Sequence, residues 1–552
     1  MKSKYLIYTA MAGALLFNDG CTKLDENAYD VIPSENFYNN KDEVLSALLR
    51  PYTHANAWVT PSGQDNWWRP AELSADQLAW PTKGRHGEDG GKWKRLHYHT
   101  WTVDEGGFNQ AWILMYGGVG YCNDPIEKIG TLDLTRMGIT EEERQSYLAE
   151  LKLFRAFHYL KIMDLWGNVP IATRVADPND PEGAPARPST TERKEVFNFI
   201  EKEIKENIEK APKLSRSMLG RMSQAGAYAM LVELYLNAEV WTGTARWDDC
   251  IAAADMLISG QAGGQNGAMQ LDPNIGDQFK PNNDLSKEVI FSIAYDYTVA
   301  QFEPSWTGEF YHFKQREIYG GGRNGNDGIV LIPGVYTTYG AKDLRKSGWL
   351  LEGPMVNFAT NQPVTGSEEY NGQQLTFVDN IRKNKSGSTV SNMSEGEENS
   401  GVRFNKYKLG NQVVGFDGTP ANVNYNNTDW NVYRLTWIYF AKAEALMRKN
   451  GGAATQDAVD LINTCRKRAF ATIDQAANAY TIATLTMDEL LAERGREFIF
   501  EGFRRDDLIR WNKFTTASWW DHQPSSATKV LFPIPQQQLN LNSNLTQNPG
   551  YN

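Results

Sequence analysis

Apolar residues recur at helical spacing through the first half of the chain. Residues 107–129 carry large apolar side chains three or four positions apart, namely Trp112, Met115, Tyr116 and Val119. Such spacing places the side chains on one face of an α-helix. Patterns of this kind predict helices over 41–57, 107–129, 141–166 and 191–211. We expect Pro51 to bend or end the first of these helices and Gly167 to end the third.

Two later stretches predict pairs of helices. The first pair covers 222–240 and 246–259, and the second covers 430–449 and 455–470. Alanines recur in the first helix of each pair, where neighbouring helices must approach closely: Ala225, Ala227, Ala229, Ala441, Ala443 and Ala445. These helical hairpins are similar to tetratricopeptide-like repeats, although the spacing between units is irregular.

Residues 260–429 have a different composition, rich in Gly, Asn, Asp, Ser and Tyr. Short apolar segments such as 289–294 predict a few strands between long loops. The predicted fold class is therefore mainly α, with a tetratricopeptide-like helical-hairpin scaffold, a long irregular loop-rich region and a few short strands. Loops of this length inside a compact chain usually carry function.

The N-terminus has the pattern of a secretory signal. Two lysines precede an apolar run over residues 5–17, and Gly20 precedes Cys21. A run of this length is too short to remain as a membrane-spanning helix. The pattern resembles a lipoprotein signal over residues 1–20, which predicts that Cys21 becomes the mature N-terminus and carries the lipid. Cleavage into the periplasm is the alternative.

The other cysteines are Cys122, Cys250 and Cys465, and none of them belongs to a CxxC pair. We therefore predict small buried residues on helices rather than a zinc site. His97 and His99 could supply two metal ligands, but no third ligand lies at a spacing typical of a metal site. Residues 324–328 lack the alternating carboxylates and the terminal Glu of a calcium loop. We predict no metal and no cofactor.

The charge of the chain limits its partners. The formal net charge is -11 over 552 residues. Binding to phosphates requires a basic surface, so this charge argues against nucleic acid as a partner. It also argues against adhesion to an anionic membrane through basic residues.

Three glutamates recur every four residues near the C-terminal end, at Glu493, Glu497 and Glu501. This spacing predicts a shared helix face, and Arg496 and Arg504 follow the first and third glutamates within ion-pair reach. A glycosidase needs two carboxylates that flank one bond and have separated pKa values. Carboxylates interleaved with arginines stay ionised and paired, so we predict a structural role for them.

Three segments resemble the SusD/RagB family of outer-membrane lipoproteins. Residues 488–511 match the family's helix motif at Glu493, Arg494, Glu497, Glu501, Gly502, Arg504, Asp507, Leu508, Arg510 and Trp511. Residues 532–551 match its closing motif at Pro533, Ile534, Pro535, Asn544, Gln547, Asn548, Pro549, Gly550 and Tyr551. Residues 153–170 resemble the family's helix with Arg-Ala and a terminal Gly-x-x-Pro. The resemblance covers the whole mature chain.

The resemblance implies one SusD-like domain over residues 21–552. Its parts are an N-terminal helical part (21–259), a loop-rich region (260–429) and a C-terminal helical pair with the family signature (430–552). It implies a lipid-anchored protein on the outer membrane, at the cell surface, that captures a glycan. It also implies a partner, a SusC-like TonB-dependent transporter over which the protein acts as a hinged lid.

Two clusters of aromatic residues are candidates for the glycan site. Sugars present C–H faces that stack on aromatic rings, and hydroxyls that hydrogen-bond to polar side chains. In the first cluster the predicted ligand-binding residues are Trp67, Trp68, Asp76, Trp80, Arg85 and Trp93. In the second they are Tyr295, Tyr297, Trp306, Tyr319 and Arg323. Family members that resemble this chain bind glycans with an arc of aromatic residues from these two regions.

Three alternatives remain open at this point. A peptide-binding member of the same family would recognise extended backbone with less aromatic stacking, and the clustered tryptophans favour glycans over it. A surface glycoside hydrolase would need a cleft with paired carboxylates. A purely structural subunit of the transporter would have no ligand of its own. We predict a binding protein without catalytic residues.

Overall fold

Helices dominate the computed structural model, which describes residues 37–62, 65–296, 307–320, 324–407, 415–418 and 427–551. Those of the N-terminal part are α1 (Lys41–Val59), α2 (Trp68–Leu73), α3 (Lys92–His97), α4 (Gly106–Thr131), α5 (Glu141–Trp166), α6 (Arg193–Asn207), α7 (Gln224–Leu236), α8 (Ala238–Thr242) and α9 (Trp247–Ile258). The long helices expected from apolar spacing are therefore present.

The rest of the described chain alternates loops with shorter elements. Its helices are α10 (Thr307–Phe310), α11 (Gln315–Tyr319), α12 (Leu344–Trp349), α13 (Leu435–Lys449), α14 (Gln456–Arg466), α15 (Thr472–Gln475), α16 (Met487–Glu497), α17 (Arg504–Arg510) and α18 (Gln536–Leu541). The strands of the chain are β1 (Leu78–Ala79), β2 (Val169–Pro170), β3 (Thr190–Thr191), β4 (Val289–Ile293), β5 (Val330–Leu331), β6 (Leu350–Leu351), β7 (Gly353–Pro354), β8 (Thr376–Phe377), β9 (Arg403–Phe404) and β10 (Trp430–Arg434). Within the described residues these strands pair two at a time, and each pair is antiparallel.

The long helices pack side by side as a row of hairpins. Helix α1 packs against α4, α4 against α5, and α5 against α6; further along, α7 packs against α9, α9 against α13, and α13 against α14. Helix α5 begins with a capping box, in which Thr140 and Glu143 satisfy each other's backbone N–H groups. It ends at Gly167, whose φ of +68° suits glycine. The predicted mainly α, tetratricopeptide-like fold is confirmed.

Two expectations about where elements begin and end are wrong. Pro51 does not end helix α1, which continues to Val59, because the packing of α1 against α4 offsets the lost backbone hydrogen bond. Residues 430–434 were expected to begin a helix but form β10, which pairs with β4. All five residues of each of these two strands are buried. A fully buried strand has no alternating pattern to distinguish it from the start of a buried helix.

The glutamates near the C-terminal end do not share one helix face. Helix α16 ends at Glu497, so Glu501 lies beyond it. The expected pair between Glu501 and Arg504 is wrong, because the turn at 498–503 directs Arg504 to Asp76, with Nε 2.6 Å from Oδ1. Glu501 instead binds Arg434, with Oε2 2.8 Å from Nε.

The predicted structural role of these glutamates agrees with their surroundings. Glu493 binds Arg496 at 2.7 Å, which confirms that pair. Arg345 lies at the centre of the network and binds Asp343 at 2.7 Å, Glu493 at 2.9 Å and Glu497 at 2.9 Å. The side chains of Arg345 and its three partners are at most 2% exposed. The carboxylates thus neutralise a buried arginine.

The C-terminal segment, residues 531–551, lies over the N-terminal helices. The side-chain amide of Asn548 donates to the carbonyl of Trp166 at 2.8 Å, at the end of α5. Trp101 Nε1 donates to the hydroxyl of Tyr551 at 2.7 Å. The last residues of the chain therefore complete the packing of its first part.

Cys122, Cys250 and Cys465 lie in α4, α9 and α14 and are buried free thiols. This confirms the expectation of small buried residues on helices. Among the residues that the structure describes, no helix combines the length and the apolar character needed to cross a membrane.

We expect Gly118→Ala to lower the free energy of unfolding by about 1–3 kcal/mol. Helices α4 and α5 approach closely at this glycine, and a Cβ there would lie 2.0 Å from Nε2 of the buried His158. Gly120, in the same helix, has no heavy atom within 4 Å of such a Cβ and is the matched control. Gly120→Ala should raise the stability by about 0.5–1 kcal/mol. Equal effects of both substitutions in urea unfolding would contradict this packing.

His158 makes the stability depend on pH. Burial lowers the pKa of His158 to about 3, although Nδ1 donates a hydrogen bond to the carbonyl of Phe154 at 2.8 Å. Because the unfolded chain binds this proton more readily, the stabilisation is fully present above pH ~6.5 and is lost as the pH falls toward 3. Between pH ~6 and ~4 the unfolding free energy should fall about 1.4 kcal/mol per pH unit more steeply than in His158→Gln. Parallel curves for the two proteins would contradict the prediction.

Candidate functional site

Trp67 and Trp68 lie in the core rather than on an exposed loop. Trp68 begins α2, is 0% exposed and donates from Nε1 to the carbonyl of Phe500 at 3.0 Å. Trp67 is 4% exposed, and its Nε1 donates to Asp164 at 3.4 Å. Neither indole lines the cleft described below, so the expectation that they bind a ligand there is wrong. Their N–H groups bind Phe500 and Asp164, which are distant in sequence and hold them in the core.

Trp80 and Trp93 form a stacked pair. Their ring centroids are 4.6 Å apart and their planes differ by 3°. Trp80 follows β1, and Trp93 lies in the first turn of α3, where its Nε1 donates to the carboxylate of Asp89. A Cβ on Gly87 or on Gly328 would lie 3.0 Å or 2.9 Å from the Trp80 ring, so both glycines permit its position.

The stacked pair lines a cleft of about 760 Å³ between two distant parts of the chain. The lining residues are Arg69, Trp80, Arg85, His86, Gly87, Asp89, Lys92, Trp93, Glu309, Phe313, Gly325 and Asn326. Strand β1 pairs with β5, which brings residues 80–93 beside residues 309–326. Parts of the two regions that were expected to hold the site therefore meet here, but Tyr295 and Tyr319 of the second region do not line this space, which we call the cleft.

Charged groups of both signs surround the stacked pair. The Arg69 guanidinium lies 5.1 Å from the Trp93 centroid and binds Glu309 at 3.5 Å. Lys92 Nζ lies 4.3 Å from the Trp93 centroid and binds Asp65 at 3.2 Å. Burial raises the pKa of Glu309, and the positive charge of Arg69 opposes this shift. Trp80 and Trp93 are 8% and 4% exposed, so the cleft combines a small aromatic surface with hydrogen-bonding groups whose charges are balanced.

The other predicted site residues occupy different places. Arg85 is at the cleft, with a side chain 77% exposed and an ion pair to Glu368 at 3.0 Å. Asp76 is bound by Arg504 and does not line the cleft. Tyr295 is 4% exposed and donates to Asn56, and Tyr319 packs against a separate apolar cluster around Phe377.

The remaining predicted residues, Cys21, Tyr297, Trp306 and Arg323, lie outside the described residues. Their roles stay predictions. Of the residues that were expected to bind ligand, the structure brings together Trp80, Arg85 and Trp93.

Two family models match the chain. One, described as starch-binding and associating with the outer membrane, matches residues 46–236. The other, described as the SusD family, matches residues 260–551, which is more than half of the chain. The chain belongs to the SusD family. This confirms the resemblance found in the C-terminal motifs.

Curated relatives and solved structures agree with SusD-family membership. The starch-binding protein SusD of Bacteroides thetaiotaomicron is 27% identical over 454 residues, covering 76% of this chain and 75% of that protein. A laminarin-binding SusD-like protein shares the fold with a TM-score of 0.67 and 19% identity, covering 93% of this chain and 100% of that one. Surface glycan-binding protein A from Bacteroides thetaiotaomicron, in complex with laminarihexaose, shares the fold with a TM-score of 0.66 and 19% identity. The match covers 92% of this chain and 99% of that one.

Sequence reasoning did not select some of the residues that line the cleft of this SusD-family chain. Arg69 follows the two buried tryptophans directly, and Lys92 precedes Trp93, so proximity in sequence was the available signal for both. Glu309 and Phe313 lie in the second region, but no motif distinguishes them there. Their place beside Trp80 depends on the pairing of β1 with β5.

The carboxylates of the cleft are already engaged. Asp89 accepts a hydrogen bond from Trp93, and Glu309 binds Arg69. A glycosidase needs one carboxylic acid and one carboxylate that flank the same glycosidic bond. The arrangement in this SusD-family chain is suited to holding a polar ligand against aromatic surface.

Proposed function

We propose that this protein binds a glycan at the cell surface and delivers it to a SusC-like TonB-dependent transporter. The observation that carries the proposal is the stacked Trp80–Trp93 pair in the cleft, where residues 80–93 lie beside residues 309–326. Ligand sites typically combine aromatic walls with a few placed polar groups, and cavities of about 300–1,000 Å³ are usual.

The handover and the anchor rest on family membership. As a lid over the transporter, the protein would contribute only part of the contact surface to the ligand, so isolated protein would bind more weakly than the complex. Lipidation of Cys21 would hold it at the outer membrane. Replacing Cys21 by Ser should release the protein into the medium or periplasm, as measured by cell fractionation.

We propose a binding role without catalysis. The relatives are named for binding starch, laminarin or surface glycans. The engaged state of Asp89 and Glu309 supports the same role.

The test is a panel of polysaccharides, including starch and laminarin, applied by native affinity gel and calorimetry to the chain from residue 22. Binding of at least one glycan without release of reducing sugar is the expected result. Hydrolysis would favour a glycoside hydrolase. If no glycan of the panel binds, either to the protein alone or with the transporter co-expressed, the proposal is overturned and a peptide ligand is favoured.

A further inference from the structure

Trp520 lies at the tip of a two-residue turn. The N–H of Trp519 donates to the carbonyl of His522 at 3.3 Å, and the N–H of His522 donates to the carbonyl of Trp519 at 3.1 Å. Asp521 has a φ of +52°, a conformation that Asp tolerates. Turn tips favour Gly, Asn, Asp and Ser, so the turn itself gives no reason for a tryptophan at position 520. Its indole is nevertheless half-exposed there.

The indole of Trp520 is held in place. Its Nε1 donates to the hydroxyl of Ser391 at 2.9 Å, and its ring lies 5.5 Å from the ring of His97. The neighbouring Trp519 is also half-exposed and stacks on His522, with centroids 3.6 Å apart. Because Ser391 and His97 already hold the Trp520 ring, it loses little conformational entropy when a ligand covers it.

A third aromatic residue joins this turn. Tyr98, at the end of α3, is half-exposed and donates from its hydroxyl to Asp521 at 2.6 Å. The same carboxylate accepts the backbone N–H of Met393 at 2.8 Å. Tyr98 and Trp520 both contact His97, with ring centroids 5.3 Å and 5.5 Å away, and Trp519 precedes Trp520 in the turn. We call these three aromatic residues the tip platform.

The tip platform continues from the cleft. Trp93 lines the cleft, and His97, one helical turn or about 5.4 Å further along α3, supports Trp520. On the neighbouring loop, Glu88 binds Lys94 at 2.5 Å and accepts from Thr82 at 2.9 Å. Met393 joins this loop to the turn, because its carbonyl accepts from the N–H of Thr82 at 2.8 Å and its own N–H donates to Asp521.

We propose that the tip platform is a second glycan subsite, which holds the continuation of a chain whose first sugars occupy the cleft. The ligand is then an oligosaccharide or polysaccharide rather than a mono- or disaccharide. This inference rests on the proposed function, because it needs a glycan in the cleft. Continuity with the cleft through α3 favours a sugar chain over a protein partner as the occupant.

The charges along this path select a neutral glycan. Arg69, Arg85, Lys92 and Lys94 each have a carboxylate partner. A uronate or sulfate group would have to displace one of these partners, and the protein carries a net charge of -11. Neutral hydroxyls can hydrogen-bond to the same groups without breaking the ion pairs.

The test is calorimetric titration with malto- and laminari-oligosaccharides, from trisaccharide to heptasaccharide, on the unmodified chain and on Trp520→Ala. Affinity should rise with chain length in the unmodified protein. Trp520→Ala should lower the affinity for the heptasaccharide about two- to tenfold and leave the trisaccharide unchanged. Trp520→Phe, which keeps a ring, should restore part of the loss. Trp247→Ala removes another half-exposed indole, outside the cleft, and should change neither affinity.

The outcomes separate the two proposals. Binding that does not increase with chain length, or an equal loss for both lengths in Trp520→Ala, would overturn the second subsite but leave the cleft. If neither the malto- nor the laminari-oligosaccharides bind at any length, both the second subsite and the binding of glucans in the cleft are overturned. Tighter binding of oligogalacturonate than of the neutral series would overturn the neutral assignment. Loss of transporter association in Trp520→Ala, with unchanged sugar affinity, would identify the platform as a protein contact instead.

Discussion

Replacing Arg345 by methionine should lower the free energy of unfolding by about 3–5 kcal/mol. Arg345 binds Asp343, Glu493 and Glu497, and all four side chains are at most 2% exposed. Methionine has a similar length but no charge, so it would leave three carboxylates buried without their shared partner. The change should be measured by denaturant unfolding at neutral pH.

A surface ion pair provides the control. Lys513 binds Asp488 at 2.7 Å, with side chains 39% and 77% exposed. Lys513→Met should cost less than about 1 kcal/mol, because solvent already screens that pair. Similar losses in Arg345→Met and Lys513→Met would mean that the buried network contributes no more than a surface contact.

Replacing Trp80 by alanine should weaken binding of the identified glycan by at least about 2 kcal/mol, or about 30-fold in Kd. The substitution removes one ring of the stacked pair and leaves Trp93 without its support at 4.6 Å. The cleft would lose both aromatic surface and a fixed shape. Calorimetry on the same glycan with both proteins gives the difference directly.

Trp241→Ala is the matched control for burial. Trp241 is 6% exposed, close to the 8% of Trp80, but it lies in α8 and does not line the cleft. It should lower the melting temperature and leave the affinity unchanged. If Trp241→Ala weakens binding as much as Trp80→Ala does, the loss in both comes from the fold rather than from the cleft.

Much of the helical fold could be predicted from the sequence. Helices α4 and α5 have long apolar patterns, and Gly167 marks the end of α5 because its positive φ suits glycine. Residues 430–434 were assigned to a helix because a short buried apolar run has no period of its own. Its partner β4 lies more than a hundred residues earlier, and that pairing decides its conformation.

The candidate site was harder to predict residue by residue. Trp68 and Trp80 are the same residue type in similar polar sequence, and yet one is in the core and the other lines the cleft. The Trp68 N–H donates to the carbonyl of Phe500, 432 residues away, and the ring also packs on Phe310. Sequence reasoning can locate an aromatic cluster, but long-range contacts decide which ring remains available.

The C-terminal segment has a consequence for the order of folding. Trp101 and Tyr551 are joined by a hydrogen bond across 450 residues, and Asn548 closes the end of α5. Contacts between such distant residues form slowly, because a long loop must close before they contribute. The N-terminal helices therefore complete their packing only after the residues up to 551 have been synthesised. The export that we propose would then act on a chain that stays incompletely folded until translation is almost complete.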